Sequence, residues 1–176
     1  MNTGDIVTLG TWTQGESKEE RSPIAWRVLE VRDGAALLLS DKAIDYQMYN
    51  DAFKAVSWRS CTLRRWLNGS FLESAFTPEE RERILPTATD RDTEDSVFLL
   101  SREEAEELLT DLRAEPTEYA NINGTYIRCE HARWWLRSRG NTPLMALLVS
   151  DTGVIFGLGV ALKSVAVRPA LRLRLD

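Results

Sequence analysis

The sequence predicts an α+β domain on three observations. Both ends read as short strands joined by tight turns, the middle reads as capped amphipathic helices, and the two kinds of element do not interleave as βαβ units would. The chain has 176 residues, which points to a single domain over residues 1–176. That length buries enough surface to fold without disulfides or metals.

The first strand is expected at residues 5–9. Residues 24–31 alternate, with Ile24, Trp26, Val28 and Glu30 on one side. Asp33-Gly34 then turns the chain into residues 35–40, the Asp-Gly signature of a hairpin. Leu37, Leu38 and Leu39 in succession mark the second strand as buried on both faces. In the centre, Leu63, Trp66 and Leu67 form one helical stripe, which Asn68-Gly69 is placed to end with a left-handed residue. Thr77-Pro78-Glu79-Glu80 and Ser101-Arg102-Glu103-Glu104 are capping boxes. Behind the second, Ala105, Leu108, Leu109 and Leu112 continue a helix. The final third returns to strands at residues 134–138, 145–150, 154–156 and 165–175, with Asp151-Thr152-Gly153 as a hairpin turn and a break at Pro169.

Composition excludes several functions. A net charge of −5 disfavours a general nucleic-acid binder. No apolar run approaches the length of a membrane span. The start, Met1-Asn2-Thr3-Gly4-Asp5, lacks the basic and apolar regions of a secretory signal, so a cytoplasmic protein is expected, with a phage particle as the alternative setting. A single histidine, His131, rules out a multi-histidine iron or zinc centre. Cys61 and Cys129 suit reduced thiols, although one disulfide is open to them.

Four features carry chemistry. Cys129 and His131 share a face if extended, which suits half a metal site or an activated thiolate as well as a buried cysteine beside a hydrogen-bonded histidine. Arg128, Arg133, Arg137 and Arg139 form a basic run that fits an anion, while strand alternation would spread them over two faces; Arg137 and Arg168 equally suit pairing with carboxylates. Gly157-Leu158-Gly159 lacks the third glycine and following helix of a phosphate loop and reads as turn glycines. Residues 144–162 are apolar on both faces, so the segment is either covered twice or presents a surface to a partner.

Several motifs resemble an uncharacterised bacterial domain family. Pro23-Ile24-Ala25-Trp26-Arg27-Val28-Leu29 and Leu37-Leu38-Leu39-Ser40 match its opening. Trp58, Ser60, residues 63–68, Phe71, Ala75-Phe76 and residues 97–105 follow in the family's order. Residues 134–140 match its "W-W-L-R-S-P-G" and residues 166–171 its "G-V-R-P-A-L", with Arg139 in place of proline and Ala166 in place of glycine. By a more distant likeness the family resembles the C-type lectin-like fold, in the branch of formylglycine-generating enzymes and the variable proteins of diversity-generating retroelements.

That resemblance implies an N-terminal hairpin, central helices and short C-terminal antiparallel strands. It implies a non-catalytic module presenting residues 141–163 to a protein or cell-surface ligand, through Asn141, Thr142, Leu144, Met145, Phe156, Leu158, Ala161 and Leu162. Lectin calcium triplets are absent, and no metal, cofactor or catalytic residue is expected. Two other classes stand beside this one: a thiol or copper enzyme at Cys129 and His131, and a phage or assembly subunit that self-associates through the same apolar stretch.

Overall fold

The computed structural model describes residues 1–17, 19–124 and 130–175. The strands are β1 (Ile6–Thr13), β2 (Arg21–Arg32), β3 (Ala35–Ser40), β4 (Asp45–Tyr46), β5 (Ile84–Leu85), β6 (Thr87–Asp90), β7 (Thr93–Asp95), β8 (Trp134–Arg139), β9 (Met145–Val149), β10 (Ile155–Gly159), β11 (Ala166–Val167) and β12 (Ala170–Arg174). The helices are α1 (Thr62–Trp66), α2 (Leu72–Ala75), α3 (Pro78–Arg83), α4 (Arg102–Leu108) and α5 (Glu118–Ile122).

The expected α+β, C-type lectin-like fold with central helices is corrected. The chain is mostly β, 37% strand against 21% helix, in curled sheets, and α4 is the longest of these helices at 7 residues. The reason is local. The stripe at Leu63 is broken because Gly69 takes φ −115°, ψ −107°, not the left-handed conformation expected of it. Its neighbour Asn68 turns inward, accepting from the Ser96 and Val97 amides and donating to the Val97 carbonyl. Both capping boxes form, at Thr77–Glu80 and Ser101–Glu104. Each helix nevertheless stops early, as Ile84 enters β5 and Leu109 extends toward the loop that ends at Ala114. A short apolar-periodic stretch holds a helix only while its face stays against the core.

One five-stranded sheet has the order β1-β2-β3-β12-β5, a second has the order β10-β9-β8-β11-β4, and β6 and β7 pair as a separate two-stranded hairpin. The hairpin β2–β3 turns at Asp33 and Gly34, both at positive φ (53° and 72°), as the sequence predicts. All six residues of β3 are buried, so its leucine run is covered on both faces. Trp134 and Trp135 point to opposite faces of β8 and both are buried. Trp134 donates to the Leu112 carbonyl and Trp135 to the Gln47 carbonyl. Trp26 is buried with its indole on the Leu9 carbonyl, while Trp66 is half-buried against Trp12 and Phe71. No helix of the described residues is long and apolar enough to cross a membrane.

Gly10 interrupts β1 at φ +65°, where a bulge separates Thr8 from Thr11. A Cβ there would lie 2.7 Å from the Ala75 carbonyl oxygen and the Phe76 ring. Gly10→Ala should cost about 1–2 kcal/mol from handedness alone, read as a lower midpoint in urea unfolding. An unchanged midpoint would mean that β1 rebuilds without the bulge.

Candidate functional site

The chain crosses between the sheets at two adjacent places. After β3 it leaves the first sheet through Asp41 and Lys42 toward β4 in the second. After β11 it returns through Arg168 and Pro169 to β12. The crossings are stitched together: Ser40 N donates to the Pro169 carbonyl at 2.9 Å and Ile44 N to the Val167 carbonyl at 3.0 Å. Arg168 completes the junction. Its Nε donates to the Ser40 carbonyl at 2.9 Å, its Nη2 to the Asp41 carbonyl at 3.2 Å, and its guanidinium carbon lies 5.1 Å from the centre of the Trp134 ring.

A cleft of about 540 Å³ opens beside this junction. Its floor is Arg27, Val28 and Leu29 of β2, with Gly4 held against Val28 by a hydrogen bond of 2.8 Å from its amide to the Val28 carbonyl. Its far wall comes from residues 108–115, anchored by Ala43 N on the Glu115 carbonyl and Ala132 N on the Ala114 carbonyl. His131 and Arg168 also line it.

Three of the cleft's cations have carboxylate partners. Arg27 pairs with Asp41 at 2.7 Å, Lys42 with Glu115 at 3.1 Å, and Arg113 with Asp111 at 2.7 Å. The Arg113 guanidinium holds the Asp111 carboxyl down to about 2, so this ion pair is fully charged at neutral pH. Arg168 differs. It is 4% exposed, meets no carboxylate among the described residues, and its Nη1 is buried with no hydrogen-bond partner. Burial pulls its pKa from 12.5 to about 10, which still leaves it cationic at neutral pH. A buried, incompletely bonded cation is costly unless something satisfies it.

The sequence-predicted ligand residues lie elsewhere. Asn141 and Thr142 are exposed in the turn after β8, and Leu144 and Met145 are half-buried where β9 begins. Ala161 is half-buried and Leu162 is exposed beyond β10. The Val160 amide on the Leu144 carbonyl and the pairing of Gly159 with Met145 bring these two turns to the same end of the sheet. Phe156 and Leu158 stand opposite Leu148 and Ala146, both buried, and pack partly buried against the core. The Arg133 guanidinium lies 6.0 Å from the Phe156 ring centre. Gly157 and Gly159, expected in turns, instead lie within β10.

The arginine run does not assemble into one site. Arg137 turns inward to Glu104, 2.7 Å from its Nη2, and to the Leu99 and Thr89 carbonyls, while Arg139 is exposed. Arg128 and Cys129 lie outside the described residues, so the Cys129–His131 arrangement is visible only at His131. Cys61 is buried at the start of α1, its sulfur accepting from the Arg64 amide, and burial pushes the thiol up to about 11. It is a protonated structural group at neutral pH. Among the described residues no three His, Cys, Asp or Glu side chains converge on a metal position.

Arg168 is the site residue that the sequence reading passed over as a site. Its signal was present: one arginine in the otherwise apolar run Val165-Ala166-Val167-Arg168-Pro169-Ala170-Leu171. A family model described as "Domain of unknown function (DUF6273)" matches residues 33–175. No curated protein and no solved structure matches the chain. The matched stretch includes Asp41, Lys42, residues 108–115, His131 and Arg168, and leaves β1, β2 and Arg27 outside it.

Proposed function

The chain belongs to the DUF6273 family, and we propose that this member is a non-catalytic binding module whose cleft at the two sheet crossings takes a small organic oxyanion. One observation carries this reading: Arg168 is a buried cation with an unpartnered Nη1, in the wall of a cleft where the other arginines and the lysine already have carboxylates. A carboxylate or phosphate supplies the missing charge and acceptor. Leu29, Leu108 and Leu109 give the carbon body of such a ligand an apolar surface beside the charged groups. The volume suits a small molecule and not a folded partner.

Calorimetric titration with inorganic phosphate, acetate and hexanoate at constant ionic strength tests the proposal. Hexanoate should bind more tightly than acetate, because each buried methylene adds about 0.8 kcal/mol. Phosphate would exceed acetate if charge dominates over the apolar wall. Arg168 itself is a poor test residue, since it also holds the two crossings together. Lys42→Ala removes a half-exposed cation from the cleft and frees Glu115, so it should weaken binding several-fold with little change in thermal stability. Absence of saturable binding for all three anions would overturn the proposal.

A further inference from the structure

The outer strands of the two sheets are not equally protected. β4 and β5 have 2 residues each, too short to template pairing. β1 is broken by its bulge, and its Gly10 amide is taken by Glu80 Oε1 at 2.9 Å. β10 has none of these devices. Its residues, Ile155-Phe156-Gly157-Leu158-Gly159, include no charge and no proline, and the strand runs in unbroken register with β9.

The direction of its hydrogen bonds follows from the ends of that ladder. Ser150 N donates to the Val154 carbonyl and Val160 N to the Leu144 carbonyl. Bonded pairs alternate along an antiparallel ladder, so Phe156 and Leu158 bond to β9 while Ile155, Gly157 and Gly159 direct their amides and carbonyls away from it. Among the described residues, the Gly159 carbonyl alone of these groups has a partner, accepting from the Leu162 amide. Exposed apolar side chains bracket this open edge. Val154 (60% exposed) precedes it and Leu162 (38%) follows it. The Phe53 ring (65%) lies 3.2 Å from where a Gly159 Cβ would stand.

We propose that β10 pairs antiparallel with β10 of a second copy about a two-fold axis at Gly157. A second copy fits this edge because the edge is self-complementary. Such pairing sets Ile155 of each copy opposite Gly159 of the other and Gly157 opposite itself, and each pair exchanges two N–H···O bonds. The outward groups of one edge are then satisfied by the same groups of the next. The Ile155 side chain covers a glycine and reaches the Phe53 ring beside it, a large residue filling the space of a small one. An uncharged edge meets an uncharged edge, so no carboxylate or ammonium is desolvated.

The test is sedimentation equilibrium on the full chain. The wild-type protein should show a concentration-dependent doubling of mass. Gly157→Lys sets two ammonium groups against each other across the axis. Its Cβ would be in ordinary contact only, 3.5 Å from Met145 Cε, so the monomer tolerates it. That variant should sediment as a monomer, and so should Gly157→Glu, while an equimolar mixture of the two should recover the dimer. Val154→Lys, at an exposed position beside the edge, weakens the dimer without touching the core and serves if the glycine variants fold poorly. A wild-type protein that stays monomeric at its solubility limit, or a Gly157→Lys protein that dimerises as well as wild type, would overturn the proposal.

Discussion

Asp95→Ala is expected to destabilise the protein by about 3–5 kcal/mol, because it removes a buried carboxylate and leaves the partly buried Arg64 guanidinium without its ion-pair partner. The Asp95 side chain, at the end of β7, is fully buried. Its Oδ1 accepts from Arg64 Nε at 2.6 Å and Asn68 Nδ2 at 3.2 Å. Its Oδ2 accepts from Trp58 Nε1 at 2.9 Å and the Thr89 hydroxyl at 2.5 Å. One carboxylate therefore ties the β6–β7 hairpin to the turn at Trp58 and to α1. Alanine leaves Arg64 Nε without its acceptor and the buried Trp58 indole N–H with the Thr89 hydroxyl at 3.3 Å, and a donor left unsatisfied costs about 1–3 kcal/mol. Urea unfolding at neutral pH measures the loss. Asp95→Asn, which keeps one acceptor oxygen, should fall between wild type and alanine. A loss below about 1 kcal/mol for alanine would mean that water replaces the carboxylate and that these contacts are not a structural hub.

Asp45 on β4 gives the second large effect, with the opposite sign. It is buried, and desolvation pushes its carboxyl from 3.8 up to about 6, against the bonds from the Tyr46 amide and the Trp12 indole that favour the charged form. Between these values the folded protein keeps a proton that the unfolded chain has released. Stability therefore falls as pH rises from about 4 to about 6, and the loss persists above that. A shift of this size corresponds to about 3 kcal/mol. Asp45→Asn removes the titration but keeps an acceptor for one of the two N–H groups. Relative to this variant, wild type should lose about 3 kcal/mol between pH 4 and pH 7 in urea unfolding. Parallel stability profiles for the two proteins would show that Asp45 is solvated enough to ionise freely.

The strands at the two ends of the chain were legible in the sequence because their signals are local, whereas the short strands β4 to β7 were not. Asp33-Gly34 fixes the first hairpin, Leu37-Leu38-Leu39 the doubly covered strand, and Asp151-Thr152-Gly153 the turn before β10, where Gly153 takes φ +86°. The capping boxes at Thr77 and Ser101 were legible for the same reason. Helix length was not. It depends on where β5 and β12 take over the chain, and pairing over long sequence separations leaves no periodic trace. That is why a mostly β chain read as α+β. The cleft was hidden by the same non-local contacts. Arg168 stands 127 residues from Asp41, whose carbonyl it binds, and nothing in residues 108–115 marks them as a wall over that junction. The double apolarity of residues 144–162 was visible, and one cause of it is the packing of Leu147, Ile155, Phe156 and Leu158 against the core. The lectin-like fold was also what had pointed to residues 141–163 as a ligand face; with that fold corrected, the unprotected edge of β10 is the feature of the segment that suits a partner.

In the proposed function Arg168 is an anion anchor as well as a clamp on the two crossings. Nitrogen-15 NMR of the arginine side chains, during titration with hexanoate at constant ionic strength, reads that guanidinium through its Nε–Hε group, which the Ser40 carbonyl holds in place. A saturable shift of the Arg168 Nε–Hε resonance is expected, accompanied by the Trp134 indole beneath it and absent from Arg64, which already faces Asp95. An Arg168 resonance that does not move, or moves equally with sodium chloride, would contradict the account and leave Arg168 as a purely structural clamp.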